Sequence, residues 1–483
     1  LRMNRQVVFL LLVCLVSFCA ATTTSQFLSV DKIVGHLENL QVIANQNNGN
    51  RAAGSAGYNA SVDYIVNELK SKTNYTVTLQ PFSFEQVIQV SAPIFQQVSP
   101  KEVTYKLYVD YVLMGSTGSG DVTAEGEDAG DGCTDAAFSS FNAGNIAIIA
   151  RGNCDFSTKV DKATAAGAGG VLIYNYEGQG IMAGTLGSAK SIPVFSTTYD
   201  LAQSWLSTSP IPTFRLFADM LVQTSYTNNI IAEGNGGRQD SVIVVGSHLD
   251  SVTEGPGIND NGSGSATNLE LAIEFFKQNI TTKNNVRFVW FSGEELGLLG
   301  SEYYVAQAVS TGDIKNIATN LNFDMVASPN FYRAIYDGSG AEPRIRNACV
   351  RIDSLFREYF EFEGLAWDYT PFDGRSDYGP FIANGVPAGG LFTGAEEIKT
   401  PEQRVIYGGI ANAAYDPCYH QACDDIYNIN KEVLDQNARG AFYVLHNLSQ
   451  KSGLVQWLNQ PVSTFRDRVH RPVASSSNIH FNK

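Results

Sequence analysis

Two adjacent acids, Glu294 and Glu295, follow the apolar run 286–291 and a Ser-Gly turn. An apolar run that stops at a polar turn reads as a buried strand reaching the surface, and neighbouring side chains on such a turn diverge. The two glutamates can therefore take different tasks. Two more runs end in the same way, 242–247 at His248-Leu249-Asp250 and 319–323 at Asp324. A glycine-rich loop, 255–264, carries Asp260 just before a helical pattern, and Cys418-Tyr419-His420 adds a second histidine. Singly, each has an ordinary explanation: a helix cap for Asp260, solvated charges for the glutamates, a hydrogen-bonded histidine for His248. Together they carry more weight, because the chain has only 6 histidines and two of them stand with the four acids Asp260, Glu294, Glu295 and Asp324. That much negative charge in a cleft is costly unless cations neutralise it. A mixed imidazole and carboxylate set suits Zn²⁺, with Mn²⁺ or Co²⁺ as substitutes, and a carboxylate left over can shuttle protons.

For these residues to meet, the elements must deliver them to one edge. From about residue 228 strands alternate with helices, the strands at 242–247, 286–291, 319–323 and 388–392, the helices at 266–278, 298–309, 342–360 and 431–452. Such alternation predicts an α/β fold, a mixed and mostly parallel sheet flanked by helices, whose carboxyl edge gathers ligands. Residues 27–70 read as two amphipathic helices and 76–84 as a strand. Between 87 and 214 the texture turns to short strands, glycine and small residues, with a strand at 145–150, a helix at 159–168 and a strand at 171–174.

The segments Gly246-Ser247-His248-Leu249-Asp250-Ser251, Gly257-Ile258-Asn259-Asp260-Asn261-Gly262, Phe291-Ser292-Gly293-Glu294-Glu295-Leu296-Gly297, Asn322-Phe323-Asp324-Met325 and Cys418-Tyr419-His420-Gln421 resemble, in order, the motifs of the M28 family of co-catalytic zinc aminopeptidases. The likeness spans 27–452. It implies a zinc-exopeptidase-like domain formed by 27–86 and 215–455, two Zn²⁺ per chain, and hydrolysis of the N-terminal bond of peptides. His248 and Asp324 would hold one zinc, Glu295 and His420 the other, with Asp260 bridging both and a shared water activated between them. Glu294 would be the general base, Tyr419 the oxyanion donor, Asp250 the acceptor that orients His248, and Arg375 a substrate contact. Arg375 reads equally as a surface salt bridge. The segments Gly144-Asn145-Ile146-Ala147-Ile148-Ile149-Ala150-Arg151-Gly152-Asn153-Cys154 and Val171-Leu172-Ile173-Tyr174-Asn175 are similar to protease-associated (PA) domains, which makes 87–214 a small β-rich insert. That likeness implies a Cys133–Cys154 disulfide and either a roof over the cleft or a plain appendage. A receptor that has lost catalysis, a carboxypeptidase and a single-zinc glutaminyl cyclase on related folds are the rival readings. The receptor is disfavoured because every ligand and Glu294 remain.

The net charge of -15 argues against nucleic-acid partners, leaving peptides with a free N-terminus as the expected substrates and a monomer as the simplest state. Residues 1–21, starting basic, continuing apolar and ending Cys19-Ala20-Ala21, read as a secretory signal peptide, too short an apolar run to span a bilayer. The expected destination is extracellular, vacuolar or lysosomal, where disulfides form. Cys418 and Cys423 are spaced to close a small loop around Tyr419 and His420, metal ligation being the alternative, and Cys349 is left as a buried thiol. Residues 461–483 read as a loose tail. Sequons at Asn59, Asn74, Asn279 and Asn447 predict glycans. Asn261 also meets the sequon rule but adjoins Asp260 in a loop that must pack tightly. Mass spectrometry of peptides from the active protein is expected to find Asn261 bare, and a glycan there would overturn this placement of the loop.

Overall fold

The computed structural model describes residues 28–461 apart from Asn235, so the segment 1–21 and all of the 461–483 stretch but Pro461 lie outside the described residues. The chain divides into two compact units, one holding the chain up to Phe82 and from Thr227 on, the other Ser83–Tyr226.

The run Val242-Ile243-Val244-Val245 is apolar without alternation, as a parallel strand covered on both faces requires. It lies at the centre of an eight-stranded sheet. In chain order the strands are β1 (Thr76–Gln89), β2 (Met220–Glu233), β3 (Arg238–His248), β4 (Asn284–Phe291), β5 (Ile317–Phe323), β6 (Ala334–Tyr336), β7 (Asp368–Thr370) and β8 (Ala388–Phe392). In space they run β1-β2-β4-β3-β5-β8-β6-β7. Neighbours among β4, β3, β5 and β8 are parallel, whereas β2 meets β4 and β6 meets β8 antiparallel. The helices of this unit include α1 (Val30–Gln46), α2 (Ala56–Lys72), α3 (Gly264–Lys277), α4 (Leu299–Thr311), α5 (Arg346–Phe362) and α6 (Lys431–Ser449). Ile243 and Val245 belong to one core with Leu37 of α1, Leu269 of α3, Phe356 of α5 and Leu445 of α6. Val242 and Val244 face the other way, into a core with Tyr304 and Val305 of α4 and with Phe381. Each such side chain, fully buried, contributes about 1.5–3 kcal/mol. The α/β class read from the alternation is the observed one. Among the described residues no helix is long and apolar enough to cross a membrane.

The second unit has its own eight-stranded sheet, in the order Val103–Thr104, Ile94–Ser99, Thr213–Ala218, Gly120–Asp128, Ile146–Ala150, Gly170–Tyr174, Val194–Thr197 and Tyr111–Leu113. Its helix Phe156–Ala165 starts earlier than the small-residue pattern suggests because Asp155 caps it, accepting from the Thr158 backbone N–H at 2.7 Å. Cys133 is joined to Cys154, and the buried Lys159 donates to the carbonyls of Asp131 and Gly152 that flank the bond.

The breaks between the two units fall at 82/83 and 226/227, both inside strands: the first within β1, which runs on to Gln89, the second within β2, which the sequence pattern does not announce. Both strands lack clean alternation, and the amino end of β2 leaves Leu221, Val222 and Tyr226 exposed.

Asp353 on α5 is buried, with Arg357 Nε at 3.1 Å. Burial holds its carboxyl up at about 7, against the pull of Arg357. A carboxyl raised by folding favours the native state below its unfolded pKa of about 4, and that contribution fades as pH rises through the folded value. Denaturant melts of wild type should therefore lose stability between about pH 4 and 7, and Asp353→Asn should flatten that slope. An unchanged slope in the variant would assign it elsewhere.

Candidate active site

Register sets the geometry. His248, the last residue of β3, is level with Phe291 at the end of β4, and Gly246 is level with Asn322 of β5, two residues before Asp324. After β4 the chain turns at Gly293, whose φ of 73° suits glycine, and the carbonyl of Glu294 closes a tight turn by accepting from the N–H groups of Gly297 and Leu298. The strand ends thus bring His248, Glu294, Glu295 and Asp324 to one edge of the sheet.

Asp260 arrives from the loop before α3 and turns its two oxygens in different directions. Oδ1 lies 3.4 Å from His248 Nε2, and Oδ2 lies 3.2 Å from His420 Nε2. Asp324 Oδ1 stands 3.3 Å from the same nitrogen of His248, and Glu295 Oε2 stands 3.0 Å from the same nitrogen of His420. Glu294 Oε2 is further off, at 4.0 Å from His248 Nε2. Ligand atoms of His248, Asp260 and Glu295 lie within 4.8 Å of one another, and so do those of His248, Glu294 and Asp324.

The electrostatics call for a cation. Burial, then Asp260, push the Glu295 carboxyl up to about 7, with His420 opposing. Burial, Asp324, Glu295 and Asp377 together raise Glu294 well above the carboxyl range despite His248. Burial alone would lower both imidazoles. Asp324 and Glu294 instead raise His248, and Glu295 and Asp260 hold His420 up at about 11. Protons are thus pulled onto groups that a metal would otherwise hold. Buried Glu295 Oε1 also has no hydrogen-bond partner, so its carboxylate is not fully satisfied by the protein. Neutral imidazole and carboxylate donors in this arrangement fit divalent cations.

Positioning is shared among residues that carry no motif of their own. Asp424 accepts from the backbone N–H groups of Asn259 and Asp260, each at 2.9 Å. Asp416 accepts from Asn259 Nδ2 at 2.6 Å and from the Cys418 N–H at 2.9 Å, tying the Asp260 loop to the segment that carries His420. Asn428 donates to both acids. Cys418 and Cys423 are bonded, and Cys349 is buried and free. Ser376 donates to Asp324 Oδ2 at 2.6 Å while accepting from Asn322 Nδ2 at 2.8 Å. The only sequence signal for these was proximity to the motifs.

One expected contact is different. His248 Nδ1 lies 3.1 Å from the backbone carbonyl of Asp250, and the Asp250 carboxylate is 3.7 Å away. That carboxylate instead accepts from the N–H groups of Glu294 and Glu295, at 3.3 and 3.4 Å, because the 293–295 turn folds over it. Asp250 therefore orients the glutamates as much as the histidine. Asn261 is fully buried, donating to the Phe323 carbonyl and accepting from the N–H groups of Gly264 and Met325. Asn59, Asn74 and Asn279 are exposed. Asn447 is half-buried on α6, its amide donating to the Tyr443 carbonyl at 2.8 Å.

Beside the acids lies an open pocket walled by Met325, Tyr336, Pro371, Tyr378, Phe392 and Tyr419. Arg375, Asp373, Glu396 and Glu397 also line it. Arg375 is exposed and lies 3.4 Å from Glu396, so it both faces the pocket and makes a surface ion pair.

The profile of peptidase family M28 matches residues 229–445, and that of the PA domain matches 118–205. An aminopeptidase of Pseudomonas aeruginosa is 41% identical over 446 residues, covering 89% of this chain and 82% of the relative. The chain belongs to peptidase family M28. Leucine aminopeptidase 2 of Arthroderma otae is 38% identical over 401 residues, 82% of this M28 peptidase and 79% of the relative. Among solved structures, an aminopeptidase from Aneurinibacillus sp. superposes with a TM-score of 0.75 at 27% identity, over 92% of this chain and 98% of that one. This M28 peptidase is thus a hydrolase acting on peptides, with a PA domain in the same chain.

Ser376→Ala should weaken divalent-cation affinity by about 10-fold, since it frees one oxygen of Asp324. Calorimetric titration of the folded variant checks this, and an unchanged affinity would reduce Ser376 to packing.

Proposed function

We propose that this M28 peptidase is a zinc aminopeptidase of the secretory route, extracellular or vacuolar, that binds two Zn²⁺ and removes the first residue of peptides. The observation that carries the reading is Asp260, one carboxylate aimed at both histidines, each of which has a second acid beside it. His248 and Asp324 would hold one zinc, His420 and Glu295 the other, and Asp260 both. Bound zinc supplies Lewis acidity toward the scissile carbonyl and the attacking water.

The remaining work falls to the protein. Glu294 is the acid outside those two sets, free to take a proton from the attacking water and deliver it to the leaving amine. Tyr419 lines the pocket with its phenol kept protonated, by burial first and then by Asp260 and Glu295, and so can donate to an oxyanion. The acids around the pocket favour a free N-terminal ammonium over a blocked one. Its apolar walls favour large apolar first residues, in line with relatives named leucine aminopeptidases. Export is supported by the apolar N-terminal stretch and the two disulfides. Residues 87–214 are assigned to the PA insert and 27–86 with 215–455 to the catalytic domain.

Amino-acyl fluorogenic amides, assayed with and without a chelator, test the reading. Glu294→Gln is expected to keep its zinc and lose turnover by about 10²–10⁴-fold. Glu295→Gln should lose zinc first. Undiminished turnover in Glu294→Gln would sink its role as base, and cleavage of N-blocked peptides would point to a carboxypeptidase.

A further inference from the structure

Arg51 is among the largest fully buried side chains in the molecule, and it lies between α1 and α2, far outside the 229–445 stretch that carries the family motifs. Its guanidinium is spent entirely on main-chain carbonyls. Nη1 donates to Leu249, Nε to Pro256 at 2.9 Å and Nη2 to Gly257 at 2.6 Å. The Arg51 backbone joins in, its N–H donating to Ser251 Oγ at 2.9 Å and its carbonyl accepting from the Ser251 N–H at 3.4 Å. Every one of these contacts falls on 249–257, the stretch of chain between His248 and Asp260.

That stretch is irregular and largely buried, so its carbonyls need donors that no helix or strand provides. It is also folded back on itself. Gly257 has a φ of 59°, and a Cβ there would meet the Asp260 carbonyl at 2.4 Å and Ser251 Cβ at 2.5 Å. A planar guanidinium, with five donors spread over one fork, can reach three carbonyls at once. Burial lowers Arg51 to about 10, with Asp250 and Asp424 opposing, so it stays charged at neutral pH.

We propose that Arg51 is a positioning residue for the metal site, clamping 249–257 so that His248 and Asp260 stand ready before metal arrives. The proposal rests on the zinc reading for its consequence, but the clamp itself can be read without metal. The N-terminal segment is then part of the site's scaffold and not an appendage to it. Lysine keeps the charge but concentrates its donors on one atom, and cannot span the three carbonyls.

The test uses the full chain as Arg51→Lys, with Ser251→Ala as the milder variant, which removes the hydroxyl that accepts from the Arg51 N–H together with its own bonds to the Val252 and Gly255 carbonyls. In metal-stripped protein, hydrogen exchange should quicken across 249–262 while β3 and β4 keep wild-type protection. Zinc affinity, measured against a competing chelator, should fall by about 10–100-fold in Arg51→Lys. Saturating zinc should then restore most of kcat, with KM unchanged. A purely structural role would instead loosen the strands and the loop together. Folded Arg51→Lys with wild-type exchange at 249–262 and wild-type zinc affinity overturns the proposal. If that variant does not fold, wild-type behaviour of Ser251→Ala does so. A wild-type protein that binds no zinc would sink the zinc reading, while quickened exchange at 249–262 in Arg51→Lys would still uphold the clamp.

Discussion

Asp260 holds one carboxylate oxygen toward His248 and the other toward His420, and the polar contacts around it serve to keep it so. A buried carboxylate is tolerated only where partners compensate its desolvation. Against its burial, the two histidines hold Asp260 below the ordinary carboxylate range. The residues on either side fix the backbone. Asn259 is bound through its N–H and its side chain to Asp424 and Asp416, and Asn261 is bound to the carbonyl of Phe323 and the N–H of Met325. Ser263 continues the pattern, donating to the Asn259 carbonyl and accepting from the Val326 N–H. Thus 259–263 is joined side chain to backbone along 323–327. Moving Asp260 would require breaking contacts that also set Asp324.

The parts of this arrangement visible in the sequence are those carried by strong local patterns. His248, Asp324 and the Glu294–Glu295 pair could be found because each follows an apolar run that can only be a buried strand, and strand ends in a parallel sheet converge. Asp260 and His420 needed the resemblance as well, since loops carry no period. Asp416, Asp424 and Ser376 had no signal beyond proximity to the motifs, and Arg51 had none. Each is a single polar residue in irregular chain whose partner is distant, as Arg51 is from Leu249, and only the fold shows that it is buried. The strand β2 escaped for a related reason. Its first half is exposed, so burial imposed no alternation on it.

Asp250 shows how a carboxylate can turn away from the contact its position suggests. A carboxylate two residues after a ligand histidine suggests a direct hydrogen bond to the imidazole. In the fold the backbone carbonyl of Asp250 is the nearer acceptor, and the carboxylate turns to the N–H groups of Glu294 and Glu295. Side-chain direction in a short irregular turn depends on the segment packed against it, and here that segment comes from the end of β4.

The sheet explains why the site forms where it does. From β3 the chain crosses through α3, which packs with Ile243 and Val245, and returns as β4 on one side of β3. It then crosses through α4, which packs with Val242 and Val244 on the opposite face, and returns as β5 on the other side of β3. Connections that leave on opposite faces to opposite sides open a crevice at the carboxyl end of the central strand. His248 sits at the base of that crevice, with the β4 turn supplying Glu294 and Glu295 from one wall and β5 supplying Asp324 from the other. The two glutamates are adjacent in sequence but not equivalent in the crevice: Glu295 faces His420, while Glu294 remains the more distant neighbour of His248. Their separation of duties therefore follows from the turn after β4, which lets consecutive side chains diverge where a helix or strand would fix their relation.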